Sequence, residues 1–343
     1  MTENPKRILI VNVNWVGDII FSTPFIKALR DAEPGSHIAC LLHPRCKDML
    51  EGDPRIDEVI LYDEEGIHKS LIGKARLVRE LRRKHFDTSY ILHRSFTKAL
   101  LTWLAGIKHR IGYATKGRGF LLTTALKEPV ESIHKVEYFL ALAHSQGIKV
   151  TDVSYEFFVG AADRMFVKEL LAELGVSESD RLVVICPGGN WDPKRWPAEN
   201  FAKLSDLLIE KFKVKVVAAG GLKDIKLAEG IQKKMRFPLA IASGKTDLKQ
   251  LGALLERAQL VIANDTGPMH IGVAMKTKVI ALFGPTSPKL TGPYGRGDYH
   301  VISKVRECNI PCYDKTCTYN SCMAEISVED VFKEAEELLS LEK

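Results

Sequence analysis

Several familiar signatures are absent from the 343 residues of this chain. The first apolar run is not followed by G-x-G-x-x-G, and neither G-x-x-x-x-G-K-[ST] nor H-E-x-x-H occurs, which disfavours dehydrogenases, P-loop NTPases and metalloproteases. Asp-x-Asp, a carboxylate pair that many enzymes use to hold a divalent metal, is also missing. Apolar runs stay below the roughly 18 residues of a membrane span, so no transmembrane helix is predicted.

Cysteines are few and unevenly spread. Three of the seven are isolated, and the other four crowd the C-terminal end as Cys308-x3-Cys312-x4-Cys317-x4-Cys322. This spacing differs from paired C-x-x-C zinc motifs, so a structural metal, a disulfide and free thiols all remain open. The odd total and the lack of an export signal favour a reducing cytoplasm.

Aromatic residues are also scarce, at 8%, whereas basic residues are concentrated. A net charge of +6 is moderate, but basic residues cluster in 69–84 and recur up to Arg118. Such a face suits an anionic acceptor, an anionic membrane surface or RNA, although a solvated helix face has the same composition. Few aromatic side chains are available there for base stacking, which argues against nucleic acid as a partner; they are Phe86, Tyr90, Phe96, Trp103 and Tyr113.

What the chain does contain is a repeated alternation of short apolar runs and helical periods. Continuous runs of this kind are typical of parallel strands that are covered on both faces. The strands are predicted at 7–13, 37–42, 59–62 and 88–92, and again at 181–186, 213–219, 238–242, 259–264 and 278–283. The pattern predicts an α/β protein with two doubly wound, Rossmann-like domains.

Between the two series lies a polar, glycine-containing stretch around 150–165, followed by a predicted helix at 164–174. We therefore predict an N-terminal domain of residues 1–163 and a C-terminal domain of residues 164–343. A terminal helix is predicted at about 327–341, with Ser327 as its N-cap.

The turn that follows strand 259–264 is the strongest candidate site. Asp265-Thr266-Gly267-Pro268-Met269-His270 joins the end of a strand to a helix N-terminus, whose free N–H groups and positive dipole end suit an anion. Gly267 would allow close approach of a phosphate. An ordinary turn, with Asp265 or Thr266 capping the helix, explains the same residues equally well.

Two further turns strengthen the anion site, because parallel sheets bind ligands at the carboxyl ends of adjacent strands. Residues 283–288 follow the next strand, and residues 186–197 leave the first strand of the C-terminal domain. In the second turn, Gly188 and Gly189 precede the cations Lys194 and Arg195, which suit a leaving diphosphate. Alternatively, the cations face solvent and the loops are merely rigid.

In the N-terminal domain, strand 7–13 runs into Asn14-Trp15-Val16-Gly17-Asp18 and then a helix. An aspartate at such a turn can accept a proton from an acceptor hydroxyl. The competing interpretation makes Asp18 the N-cap of the helix.

Taken together, these segments resemble the bacterial ADP-heptose:lipopolysaccharide heptosyltransferases of glycosyltransferase family 9, most of all the heptosyltransferase II branch. Trp15-Val16-Gly17-Asp18, Pro193-Lys194-Arg195-Trp196-Pro197 and the 264–270 and 283–288 turns carry the resemblance, in the family's order. It implies a GT-B architecture, in which two Rossmann-like domains face each other across a cleft and the last helix returns to the N-terminal domain.

The resemblance also implies an inverting transfer of heptose from ADP-heptose to the lipid A-Kdo core, without a metal or other cofactor, by an enzyme peripheral to the cytoplasmic membrane. It makes Asp18 the general base and Lys194 the cation on the diphosphate. Many relatives carry an acidic residue that holds the ribose directly after a glycine pair. Here Gly220-Gly221 is followed by Leu222-Lys223-Asp224, so Asp224 is the predicted substitute. The predicted donor site comprises Gly17, Gly188, Gly189, Asn190, Lys194, Asp224, Asp265, Thr266, Gly267 and His270. The predicted acceptor contacts are Arg76, Arg79, Arg94, Lys98 and Arg118.

Two other functions fit the same residues. A GT-B enzyme could use another nucleotide sugar, because a diphosphate turn does not read the sugar. A non-catalytic protein could bind anions through the 69–118 face.

Overall fold

A computed structural model describes residues 5–305 and 308–340. Within them the chain divides into two compact units, of which the first ends at Val153 and the second begins at Ser154. The sequence placed this division ten residues later. The difference arises because residues just after Ser154 pack on the second unit: the Tyr155 ring contacts His270, and Lys249 lies over the Phe157 ring.

The N-terminal domain is a six-stranded parallel sheet with helices on it, as far as the described residues extend. The strands are β1 (Arg7–Val11), β2 (His37–Leu42), β3 (Glu58–Leu61), β4 (Thr88–Ile91), β5 (His109–Tyr113) and β6 (Thr124–Leu126), in the order β3-β2-β1-β4-β5-β6. The helices are α1 (Val16–Ala32), α2 (Lys47–Leu50), α3 (Leu71–Arg83), α4 (Phe96–Leu104) and α5 (Lys135–His144). The order in which successive strands are added to the sheet reverses between β1 and β4.

The C-terminal domain repeats this plan. Its strands are β7 (Leu182–Cys186), β8 (Lys215–Ala218), β9 (Ala240–Ile241), β10 (Leu260–Asn264), β11 (Val279–Phe283) and β12 (Tyr299–Ser303), in the parallel order β12-β11-β10-β7-β8-β9. The helices are α6 (Ala161–Glu173), α7 (Ala198–Phe212), α8 (Ile225–Gln232), α9 (Leu248–Arg257), α10 (Gly267–Ala274), α11 (Pro288–Thr291), α12 (Ser321–Ala324) and α13 (Val328–Ser340).

Burial explains why both sheets form. Every residue of β7, β10 and β11 is buried, as expected for strands covered by helices on both faces. Each fully buried Leu, Ile or Val side chain contributes about 1.5–3 kcal/mol relative to exposure. The prediction of two doubly wound parallel sheets is therefore confirmed.

The terminal helix α13 packs on the C-terminal sheet. Its Val331 and Leu338 belong to the core that also contains β7 and β10 residues, and the Leu338 carbonyl accepts a hydrogen bond from Lys278 Nζ at 2.7 Å. Burial of its apolar face on its own sheet accounts for this position. The return of the helix to the N-terminal domain, which the resemblance implies, stays a prediction.

Candidate active site

Each sheet has one point at which the strand order reverses, and there the carboxyl ends of two strands leave a crevice that is the usual ligand site of such sheets. In the C-terminal domain this point lies between β7 and β10. The loop 187–197 and the 265–267 turn flank it. Two of the three turns singled out in the sequence therefore border one crevice, and the third, after β11, lies beside it.

Lys194 and Asp265 meet at this edge. The Lys194 ammonium lies 2.6 Å from Asp265 Oδ2, and the Thr286 hydroxyl donates to the same oxygen at 2.6 Å. His270 Nε2 lies 3.9 Å from Asp265 Oδ1. The Asp265 side chain, predicted as a donor ligand, is thus directed at Lys194 and Thr286, and its geometry is that of a positioning residue.

The helix that follows is not capped by a side chain. Thr266 is the N-cap of α10, but its hydroxyl donates to the Asn264 carbonyl at 3.2 Å instead of accepting from the first helical turn. The interpretation of Asp265 or Thr266 as a side-chain cap is therefore wrong. Gly267 is the first residue of α10, so its backbone N–H lies at the positive end of the helix dipole.

Asn264 connects the two loops of the crevice. Its buried amide donates to the carbonyls of Pro187 at 2.8 Å and Gly188 at 3.1 Å, and its Oδ1 accepts from the Trp196 N–H at 3.2 Å. These bonds fix the backbone on both sides of Lys194. The sequence reasoning placed Asn264 in the motif but missed its role, because only the β7–β10 neighbourhood shows what its amide reaches.

Asp224 closes the other side of the crevice. Its carboxylate lies over two glycines: a Cβ added at Gly188 would stand 2.6 Å from Asp224 Cγ, and one added at Gly220 would stand 2.6 Å from its Oδ2. Asp224 Oδ2 also accepts from the Gly221 N–H at 2.9 Å. Asp224 therefore reaches the β7 edge from the end of β8, while Asn190 is exposed on the loop after β7.

At the reversal point of the N-terminal sheet, the β1 loop leads into α1. The N-cap of α1 is Trp15, whose side chain forms no cap bond, and Gly17 and the half-buried Asp18 lie in the first turn. The interpretation of Asp18 as the N-cap is therefore wrong. A carboxylate in the first turn is favoured by the helix dipole in its ionised form.

Beside Asp18's turn lies a polar triad of one buried and two partly buried side chains, which links the ends of β1, β3 and β4. Lys98 Nζ donates to Asn14 Oδ1 at 2.6 Å and pairs with Glu64 Oε1 at 3.1 Å, and the Asn14 amide also donates to Glu64 at 3.0 Å. Burial would raise the pKa of Glu64, but the Lys98 ammonium and the Asn14 bond outweigh it and hold the pKa below its usual value. Lys98, predicted as an acceptor contact, is 2% exposed and forms part of this triad.

His93, at the end of β4, was missed by the sequence reasoning. Burial, followed by the nearby Lys98 cation, lowers the pKa of His93 to about 4, so the ring is neutral near pH 7. Its Nδ1 accepts from the Ser95 N–H at 3.0 Å. A histidine following an apolar run carries no signal that distinguishes it from a core residue.

The other predicted acceptor residues separate into two groups. Arg118 is fully buried and donates to the carbonyls of Tyr113 at 2.8 Å and Ser95 at 3.1 Å, so it is a structural residue rather than an exposed ligand. Arg94 is half-exposed and pairs with Glu128. Arg76 and Arg79 are exposed on α3.

The end of α3 lies at the amino edge of the sheet. The carbonyl of Lys84, which follows α3, accepts from Arg7 Nε at 2.6 Å, and Arg7 is the first residue of β1. Arg79, one turn before the end of α3, therefore lies towards the amino edge, opposite the carboxyl edge that carries Asp18.

Two Rossmann-like domains, each with polar side chains at its reversal point, define the GT-B class of glycosyltransferases. Residues 74–323 match glycosyltransferase family 9 (heptosyltransferase), and the chain belongs to this family. It is 31% identical to lipooligosaccharide heptosyltransferase 2 of Haemophilus ducreyi, over 84% of this chain and 86% of that protein. It is 27% identical to lipopolysaccharide heptosyltransferase 2 of Escherichia coli, over 98% and 99% of the two chains.

Solved structures of this family have the same fold as this chain. A family 9 glycosyl transferase from Veillonella parvula superposes with a TM-score of 0.88 at 28% identity, covering 99% of this chain and 98% of that one. The E. coli ADP-heptose lps heptosyltransferase II gives a TM-score of 0.81 at 26% identity, covering 97% and 98%. The chain is therefore a glycosyltransferase of the heptosyltransferase family, as the sequence motifs predicted.

Proposed function

We propose that this enzyme transfers L-glycero-D-manno-heptose from ADP-heptose to the inner core of lipopolysaccharide, with inversion and without a metal ion. The observation that carries the proposal is the placement of Lys194 at the β7–β10 crevice, held there by Asp265. A cation fixed beside a helix N-terminus suits the diphosphate of a nucleotide sugar. Family membership supports heptose as the sugar.

In the proposed reaction the acceptor hydroxyl oxygen attacks the anomeric carbon of the heptose. The bond from that carbon to the diphosphate oxygen breaks, and its electron pair leaves with ADP. Asp18 takes the hydroxyl proton, and Lys194 with the α10 N–H groups stabilises the charge that develops on the diphosphate. Preorganised stabilisation of this kind is worth about 3–4 kcal/mol per group.

Protein cations take the place of a metal in this scheme. The chain has no Asp-x-Asp, and Arg195 accompanies Lys194 on the same loop. Arg195 is anchored by its bonds to the Gly189 carbonyl at 2.9 Å and to Asp192 at 2.7 Å. For the nucleoside, the Asp224 carboxylate beside Gly188 is the proposed acceptor for a ribose hydroxyl.

The test is a transfer assay with purified protein, ADP-heptose and two truncated core lipid A acceptors, one ending in Kdo and one in heptose, each with and without EDTA. Transfer to the heptose-terminated acceptor that EDTA leaves unchanged is the expected result. A lack of transfer to both acceptors contradicts the proposal, and loss of transfer with EDTA contradicts metal independence. A calorimetric panel of ADP-, UDP- and GDP-sugars separates heptose from other donors.

We further propose that the carboxyl edge of the N-terminal sheet contacts the membrane that holds the acceptor. Among the described residues, none of the helices has the length and apolarity to span a membrane. Ile67, Leu71 and Ile72, which follow β3, are 74%, 84% and 69% exposed. Phe96 and Phe120, after β4 and β5, are also exposed and lie 6.2 Å apart, ring to ring.

Charge favours an anionic surface as the partner. The loops that follow β3, β4 and β5 at this edge carry the exposed cations Lys69, Arg94 and Lys116. Apolar side chains that insert at an interface, together with nearby cations, bind anionic lipids. Flotation with anionic vesicles should be lost in a Leu71→Ser/Ile72→Ser variant and kept in a Met165→Ser/Phe166→Ser control; equal flotation of both variants contradicts this surface.

A further inference from the structure

Four cysteines that no step of the proposed reaction uses surround one small cavity in the C-terminal domain. Cys308, Cys312, Cys317 and Cys322 all line it, together with Pro193 and Pro285. None of the seven cysteines is joined in a disulfide. The remaining thiols, Cys40, Cys46 and Cys186, are isolated and buried elsewhere.

The segment that carries these thiols has little else to hold it. Residues 308–320 contain neither helix nor strand, and the side chains of Tyr313 and Tyr319 are exposed. A loop of this length without secondary structure is uncommon in a compact domain unless it is functional or disordered. Most residues of the loop are exposed, so it buries little apolar surface, and a cross-link would order it further.

We propose that Cys308, Cys312, Cys317 and Cys322 bind one Zn²⁺ ion as a closed tetrathiolate site. Four thiolates around one cavity match the soft, tetrahedral preference of zinc, and binding releases the thiol protons. Within the described residues, the only group with three ligand atoms within 4.8 Å of one another is that of His300, Glu334 and Glu337. No three of the four sulfurs lie that close together, so the sulfurs must move towards one another when zinc binds. The irregular loop that carries three of them permits this movement.

The proposed zinc site would support the donor crevice. The Cys312 N–H donates to the Pro285 carbonyl at 2.7 Å, and a Cβ added at Gly284 would stand 3.2 Å from Cys322 Sγ. Thr286, the next residue after Pro285, donates to Asp265, the partner of Lys194. Ordering of the cysteine loop therefore stabilises the turn that fixes the Lys194 pair.

The test uses the full chain, purified under reducing conditions without chelator. Elemental analysis is expected to find about one zinc per chain, and Co²⁺ exchange should produce the thiolate charge-transfer absorption of a tetrahedral site. Cys308→Ser is the main variant because Cys308 is exposed and its replacement leaves the core intact. It should lose zinc and the cobalt spectrum, whereas Cys46→Ala, in the other domain, should keep both.

Two outcomes overturn the inference. Protein without metal that shows no cobalt spectrum after Co²⁺ addition has free thiols only. In a second sample, purified without reductant and denatured, a count of three titratable thiols shows two disulfides instead. Calorimetry with ADP adds a readout independent of transfer activity, because zinc removal should weaken ADP binding several-fold and lower Tm. Zinc bound without either effect would contradict the support of the donor crevice.

Discussion

Lys194 and Asp265 form a salt bridge with 2.6 Å between Nζ and Oδ2, and the two side chains are 11% and 7% exposed. They belong to loops that leave neighbouring strands β7 and β10, more than 70 residues apart in the chain. The pair holds a cation at the crevice while the carboxylate also accepts the Thr286 hydroxyl.

Replacement of Lys194 tests its role on the leaving diphosphate. Lys194→Ala should lower kcat/KM by about 10²–10³-fold, the cost of removing one preorganised group that stabilises developing charge. Steady-state kinetics measure the effect, with Lys203→Ala on the exposed face of α7 as the control. A Lys194→Ala enzyme within threefold of the parent would remove Lys194 from the mechanism.

Replacement of Asp18 tests the general base. Asp18→Asn keeps the size of the side chain and removes its basicity, so turnover should be abolished while calorimetric ADP binding stays within a few-fold. Asp31→Asn, near the other end of α1, should leave both unchanged. Equal turnover by Asp18→Asn and the parent enzyme would contradict the assignment.

Asn264 is expected to affect both stability and donor binding. Asn264→Ala leaves the Pro187 and Gly188 carbonyls and the Trp196 N–H without their buried partner, which should lower the free energy of unfolding by about 3 kcal/mol. KM for the donor should rise because the Lys194 loop loses its anchor. Urea unfolding and kinetics measure these effects, with Asn200→Ala as the control; unchanged stability would rule out the anchoring role.

Arg118 and Arg94 should respond oppositely to removal. Arg118→Met leaves three buried carbonyls without their hydrogen-bond donor and should lower the free energy of unfolding by about 3 kcal/mol. KM for the acceptor should be unchanged in the folded enzyme. Arg94→Met removes a half-exposed ion pair worth about 1 kcal/mol at most. A raised acceptor KM without loss of stability in Arg118→Met would restore Arg118 as an acceptor ligand.

His93 should make the protein less stable in mild acid. Its pKa is lowered to about 4 in the folded state from about 6.5 when unfolded, so the unfolded chain binds the proton first. Stability from this residue is therefore complete above pH 6.5 and falls as the pH drops towards 4. At pH 5 the loss relative to pH 7 should be on the order of 1 kcal/mol, after allowance for partial exposure.

Urea unfolding at both pH values measures this loss, and His93→Gln should show a smaller one. His144→Gln, at the exposed end of α5, is the control. The same pH dependence in His93→Gln and the parent protein would contradict the assignment.

The α/β class and most strands could be predicted from the sequence because strands buried on both faces must be continuously apolar. Val183, Ile262 and Ile280 lie in such runs, and all three are buried. Strands β5, β6 and β12 were missed. His109 and Arg110 interrupt the apolar pattern of β5, β6 spans only three residues, and β12 is an edge strand with exposed side chains.

The sequence predicted those parts of the site that a short local motif specifies without any tertiary contact. The sequence by itself determined the two domains, the turn that carries Gly267 and the cation at Lys194, since strand ends and helix starts are local features. Tertiary structure alone decided that Asp265 faces Lys194, that Asn264 joins both loops and that Arg118 and Lys98 are buried. The first two relationships depend on which strands become neighbours. The burial of Arg118 and Lys98 depends on carbonyls and a carboxylate that accept their hydrogen bonds in the fold, and the local sequence around a buried arginine or lysine does not differ from that around an exposed one.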